Sequence, residues 1–102
     1  MHDKEIFVTI NHLDDFGGLS NLRVGNELFL KKDRDNPYDD EAIAVCDGSD
    51  VRIGYVANST CTVARGTYSA GRLYDLLKDK GRCTVGFILG DAVIARYDGQ
   101  GE

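Results

Sequence analysis

Six short runs rich in β-branched and aromatic residues, each closed by turn chemistry, constrain this chain more than any other feature of its sequence. "EIFVTIN" alternates Ile6, Val8 and Ile10 with Phe7 and Thr9, and that period of two, with β-branched residues, favours a strand. The glycines and aspartates of "HLDDFGGLSN" form a loop, after which "NELFLKKD" resumes as a strand with Leu28 and Leu30 on one face. "AIAVCD" and "VRIGYVA" flank an Asp47-Gly48 hairpin signal, since glycine accepts positive φ without strain. Gly54, inside the second of these runs, marks a bulge or a close approach to the backbone. "RCTVGFILGDAVIARY" supplies two more strands about a Gly90-Asp91 turn.

Helical signals are fewer. "NSTCTVARG" reads as a cap, Asn58 or Ser59, followed by a short helical turn. "SAGRLYDLLKDKG" predicts the clear helix: Ser69 caps it, Leu73, Leu76 and Leu77 form its apolar stripe, Lys78 and Lys80 occupy its last turn, and Gly81 ends it. "DGQGE", residues 98–102, is expected to fray. The fold class is therefore mainly β with minor α: a small, strongly curved six-stranded antiparallel sheet or barrel, with a helix over one opening.

A chain of 102 residues makes one domain, 1–102, with a core over about residues 5–97. No run approaches the roughly 18 apolar residues of a membrane span, and the amino terminus lacks a basic, apolar leader. A soluble cytoplasmic protein is expected. Cys46, Cys61 and Cys83 are odd in number and widely spaced, which suits free thiols rather than a zinc site.

The chemistry of the chain is narrowed mostly by exclusion. A net charge of −5 rules out a general basic coat, although Lys31, Lys32 and Arg34, then Arg65 and Arg72, then Lys78, Lys80 and Arg82 cluster locally. His2 and His12 are the only histidines, so a Ser or Cys nucleophile has only His12 as a realistic base. No phosphate-cradling glycine motif occurs. "DRDNPYDDE" begins as a calcium loop does, yet Pro37 occupies a ligand position and Tyr38 the position that requires glycine. No cofactor and no metal are expected.

Asn36-Pro37-Tyr38-Asp39 instead reads as a tight turn, with proline presetting φ and Asn36 and Asp39 able to bond neighbouring amides. Such a turn carries Tyr38 outward. An exposed ring between a basic strand end and an apolar strand is a platform on which a base could stack, and structural packing of the ring is the competing reading.

The order of "NPYDDEAIAV", a hairpin, "GYVAN" and a capped helix resembles the HIRAN domain, and "GYVANSTCTVARGTYSAGR" is similar to the small bacterial single-domain branch of that family. The resemblance runs from about Glu5 to Tyr97. It implies an OB-like six-stranded barrel with two helices, in a family found joined to DNA-remodelling helicases and nucleases or standing alone in bacteria. In a vertebrate relative the domain grips the 3′ end of single-stranded DNA. By that resemblance Tyr38 is the stacking tyrosine and Asp39 the carboxylate that meets a terminal hydroxyl. Tyr55 stands where the relative has histidine, Asn58 where it has a phosphate-binding lysine, and Lys32 at a basic position before the turn. Asp14, Asp15 and Phe16 replace an Arg-Tyr pair.

The function expected is a non-catalytic module that binds single-stranded DNA or DNA 3′ ends in DNA processing or repair. Its expected DNA-binding residues are Tyr38, Asp39, Asn36, Lys32, Tyr55, Asn58, Phe16, Arg65 and Arg72. The alternative is a protein-interaction or accessory module of DNA-processing machinery, without direct DNA binding.

Overall fold

The computed structural model describes residues 5–13, 22–59 and 61–100. Strands β1 (Phe7–Asn11), β2 (Glu27–Lys32), β3 (Ile43–Cys46) and β4 (Arg52–Val56) precede helix α1 (Ala70–Leu76), and strands β5 (Lys80–Leu89) and β6 (Ala92–Gln100) follow it. The sheet closes into a barrel in the order β1-β4-β3-β2-β5-β6, with every strand pair antiparallel. Closure removes the unpaired edges that an open sheet of this size would present. The fold class expected from the sequence is the one observed.

Alternation sets the interior. Leu28 and Leu30 of β2, Val8 and Ile10 of β1, and Cys83 and Val85 of β5 all enter one buried cluster, to which α1 and its flank add Ala70, Leu73 and Leu77. The three amides that open α1 are all bonded: Ala70 N–H to the Ala57 carbonyl, Gly71 N–H to Asn58 Oδ1, and Arg72 N–H to Ser69 Oγ. These would otherwise be orphan donors of the first turn. A bonded turn also forms at Ser59, whose carbonyl accepts from Val63 N–H at 2.9 Å, as the "NSTC" reading expects.

Gly54 is a site of close approach. A Cβ there would lie 2.7 Å from the Asn11 carbonyl oxygen and 3.2 Å from side-chain atoms of both Ile10 and Leu13, while the β3–β4 register shifts opposite it, between Val45 and Cys46.

Four expectations need correction. The helix ends at Leu76, and Lys80 and Gly81 belong to β5, opposite Lys31 and Leu30; pairing in the barrel outweighs their value as helix-ending residues. Leu76 of the supposed apolar stripe is exposed. The positive φ of the β3–β4 turn falls on Asp50, at 64°, rather than on Gly48, because Asp47 Oδ1 accepts from both Ser49 and Val51 N–H and sets the turn's shape. Residues 98–100, expected to fray, continue β6: the Gln100 side chain bonds the Leu76 carbonyl, Lys78 N–H and Tyr97 hydroxyl. Among the described residues, no helix is long and apolar enough to cross a membrane.

Candidate nucleic-acid interface

Between β2 and β3 the chain makes three successive turns, closed by Asn36 N–H on the Asp33 carbonyl, by the Asn36 side chain, and by Ala42 N–H on the Asp39 carbonyl. Pro37 fixes its own φ and biases Asn36 toward extended backbone. Asn36 Oδ1 then accepts from Tyr38 N–H at 2.9 Å and Asp39 N–H at 3.0 Å, an Asx turn that satisfies both amides with one side chain. Asn36 Nδ2 donates to Asp33. The product is a stiff loop whose tip, Tyr38, is 95% exposed. An aromatic side chain that bare has no packing role in the barrel.

Tyr38 stands at the mouth of a cleft of about 360 Å³, within the range that takes small ligands or parts of larger ones. Asn36, Asp39, Tyr55 and Asn58 share that lining with it, so five of the nine expected residues are brought together. Lys32, Arg65 and Arg72 are not part of the lining. Lys32 Nζ lies 4.0 Å from the centroid of the Tyr74 ring, and the Arg72 guanidinium 3.8 Å from that of Tyr68; both cations are held by rings of their own. Phe16, with Asp14 and Asp15, falls outside the described residues.

Asn58 is the hydrogen-bonding hub of the cleft's lining. Its Oδ1 accepts from Gly71 N–H at 2.8 Å, while its Nδ2 donates to Asp39 Oδ2 at 3.2 Å and to Glu41 Oε1 at 3.3 Å. One amide thus ties the loop to the start of α1. The junction is tight, since a Cβ on Gly71 would lie 2.6 Å from Glu41 Oε1.

Tyr55 also lines the cleft. Its hydroxyl donates to Asp33 Oδ2 at 3.1 Å and accepts from Arg52 Nη1 at 2.8 Å, and the His12 ring meets it edge-on, with centroids 6.5 Å apart. Burial first, and the bond to Asp33 second, push this hydroxyl above its ordinary pKa, so it stays protonated and keeps its hydrogen bond to Asp33.

His12, Asn11, Ser59 and Thr62 also line the cleft and were missed as site residues. Asn11 was within reach of pattern reasoning, because it pairs directly with Tyr55 across β1 and β4 and opposed residues share a face. His12, at φ 62°, leaves the strand in a conformation that no local motif announces.

Chemically the cleft offers one bare ring, one carboxylate and several neutral donors. None of its described lining residues is Lys or Arg. Asp39 uses Oδ1 for Glu41 N–H and Oδ2 for Asn58, and an ionised carboxylate has about four acceptor positions, which leaves capacity for a further hydroxyl. The arrangement suits a flat base and a free hydroxyl better than a phosphate.

The model of one family, the HIRAN domain, matches residues 5–85 of the chain. A crystal structure of a protein from Lactobacillus plantarum is similar at a TM-score of 0.60 and 23% identity, covering 94% of this chain and 95% of that one. At that identity the likeness bears on the fold alone. No curated protein matches the chain in sequence.

Proposed function

The chain belongs to the HIRAN domain family, whose domains are in general DNA-binding modules, and from that premise we propose that it binds single-stranded DNA at a free 3′ end. The terminal base stacks on Tyr38, and the 3′-hydroxyl donates a hydrogen bond to the Asp39 carboxylate. The observation that carries this reading is the bare Tyr38 ring, 95% exposed on a loop stiffened by Asn36 and Pro37. Stacking of this kind contributes about 1 to 3 kcal/mol per base, and little of it is spent on ordering a loop already ordered. The lack of Lys and Arg in the described lining fits a hydroxyl terminus, since a carboxylate repels a terminal phosphate.

Fluorescence anisotropy with a 5′-labelled oligonucleotide at low salt tests the proposal. Tyr38→Ala is expected to weaken binding by roughly 5- to 100-fold, and a 3′-phosphate is expected to bind less tightly than a 3′-hydroxyl. Unchanged affinity for Tyr38→Ala would overturn it.

A second reading, docking to a protein partner, draws on Phe87 and Leu89, 58% and 57% exposed in the β5 arm of the β5–β6 hairpin and absent from the cleft. Loss of a captured partner on Phe87→Ser, with no oligonucleotide bound by the wild type, would favour it.

A further inference from the structure

Cross-strand pairing relates the first cleft to a second, separate recess, because the two draw lining residues from the same rows of the sheet. Residues directly opposed in a sheet point to the same side. The register therefore puts Lys80, Lys31, Ala44, Tyr55 and Asn11 in one row across β5, β2, β3, β4 and β1, and Arg82, Phe29, Cys46 and Arg52 in a parallel row beside it. Leu28 and Leu30 point the other way, into the core. At about 4.8 Å per strand, the path from Tyr55 to Lys80 is roughly 14 Å along the curve of the sheet.

At the far end of these rows lies a recess of about 210 Å³, whose lining combines Phe29, Lys31, Lys80 and Arg82 with the carboxylates Asp47 and Asp50 on the β3–β4 turn. Phe29 is 37% exposed and is the aromatic surface of this recess. Its cations are only loosely engaged. Lys31 meets Asp50, and Arg82 meets Glu27, each at 3.7 Å between largely solvated side chains; such pairs contribute little and exchange readily for another anion. Arg52 lies between the two sites in register, opposite Cys46 of the second lining, with its guanidinium bonded to the hydroxyl of Tyr55 in the first and 5.4 Å from that ring's centroid. The first cleft has one carboxylate and no Lys or Arg among its described lining residues, whereas in the second three cations outnumber two carboxylates beside the ring of Phe29.

We propose that this second recess is a subsite for the nucleotides next to the bound end, Phe29 stacking a base while Lys31, Lys80 and Arg82 face the phosphates. It rests on the 3′-end reading for the direction of the strand. A chain of net charge −5 thereby concentrates its phosphate contacts where a strand leaving the Tyr38 cleft crosses the sheet.

The two sites separate by ligand length. Wild type, Tyr38→Ala, Phe29→Ala and Lys31→Ala/Lys80→Ala are titrated with a dinucleotide and with an oligonucleotide of about 8 nucleotides, both bearing free 3′-hydroxyls, after circular dichroism establishes that each variant is folded. Phe29→Ala is expected to weaken the longer ligand roughly 5- to 100-fold and to leave the dinucleotide unchanged. The lysine variant, altered only at exposed positions, is expected to lower the slope of log affinity against log salt by about 0.7 per lost phosphate contact. If neither variant changes binding of the longer ligand while Tyr38→Ala does, the subsite is overturned and the end-binding reading stands. If Phe29→Ala weakens the longer ligand and Tyr38→Ala has no effect on either, the subsite is retained and the end-binding reading fails.

Discussion

Replacing Asn58 by alanine removes its hydrogen bonds to three residues at one point, and these partners allow the cost to be worked out. The bond from Gly71 N–H to Oδ1 acts as a cap on α1, and loss of a cap costs about 1 kcal/mol. The bonds from Nδ2 to Asp39 and Glu41 are charge-assisted but long, at 3.2 and 3.3 Å, and partly solvated, so together they contribute at the low end, about 1 to 2 kcal/mol. The sum, about 2 to 3 kcal/mol, lowers Tm by roughly 10 to 20 °C in a domain of this size. Asn58→Asp provides the contrast: it keeps the acceptor for Gly71 but turns a carboxylate toward Asp39 and Glu41. Its deficit should shrink as salt rises, because screening weakens repulsion between partly exposed charges, whereas the alanine deficit should not. Calorimetry of the three proteins at low and high salt checks both expectations. An Asn58→Ala protein that melts with the wild type would refute the claim that this amide joins the loop to the helix.

Gly54→Ala is expected to destabilise by about 1 to 3 kcal/mol, since its Cβ would press on the Asn11 backbone oxygen at 2.7 Å; a urea midpoint equal to wild type would contradict this. Among the thiols, Cys61 is exposed while Cys46 and Cys83 are buried, so brief alkylation of native protein should add one label by mass spectrometry and denatured protein three. Burial pushes the Cys83 thiol up to about 12 from 9.0. The unfolded chain therefore loses that proton first, and stability should fall as pH rises above about 9, by up to about 1.4 kcal/mol per unit. Cys83→Val should flatten that slope; a wild-type stability that rises between pH 9 and 11 would exclude this account.

The strands were legible because alternation and turn residues are local signals that the barrel happens to obey: Leu28 and Leu30 face inward as their spacing implies. The end of α1 was not, because Lys80 and Gly81 are recruited by strand partners some fifty residues earlier in the chain, and no local preference encodes that competition. The same division holds at the site. The Asn36-Pro37-Tyr38-Asp39 turn could be read in place, since its bonds lie within a few residues. The links from Asn58 to Asp39 and from Tyr55 to Asp33 span 19 and 22 residues and exist only once the barrel has closed. Charge clusters were the least informative signal, because Lys32 and Arg72 turn to tyrosine rings rather than to the cleft.

The loop below Tyr38 takes its shape from Asn36 and Pro37, and the ring at its tip contributes nothing to that shape. Under the stacking role proposed for it, residue 38 is a replaceable reading head. Exchange for tryptophan, phenylalanine or histidine changes the face offered to a base while leaving the scaffold indifferent. With that proposed role, a barrel of this kind can drift in what it stacks on without any compensating change in its core, and preference among bases would be a one-codon trait.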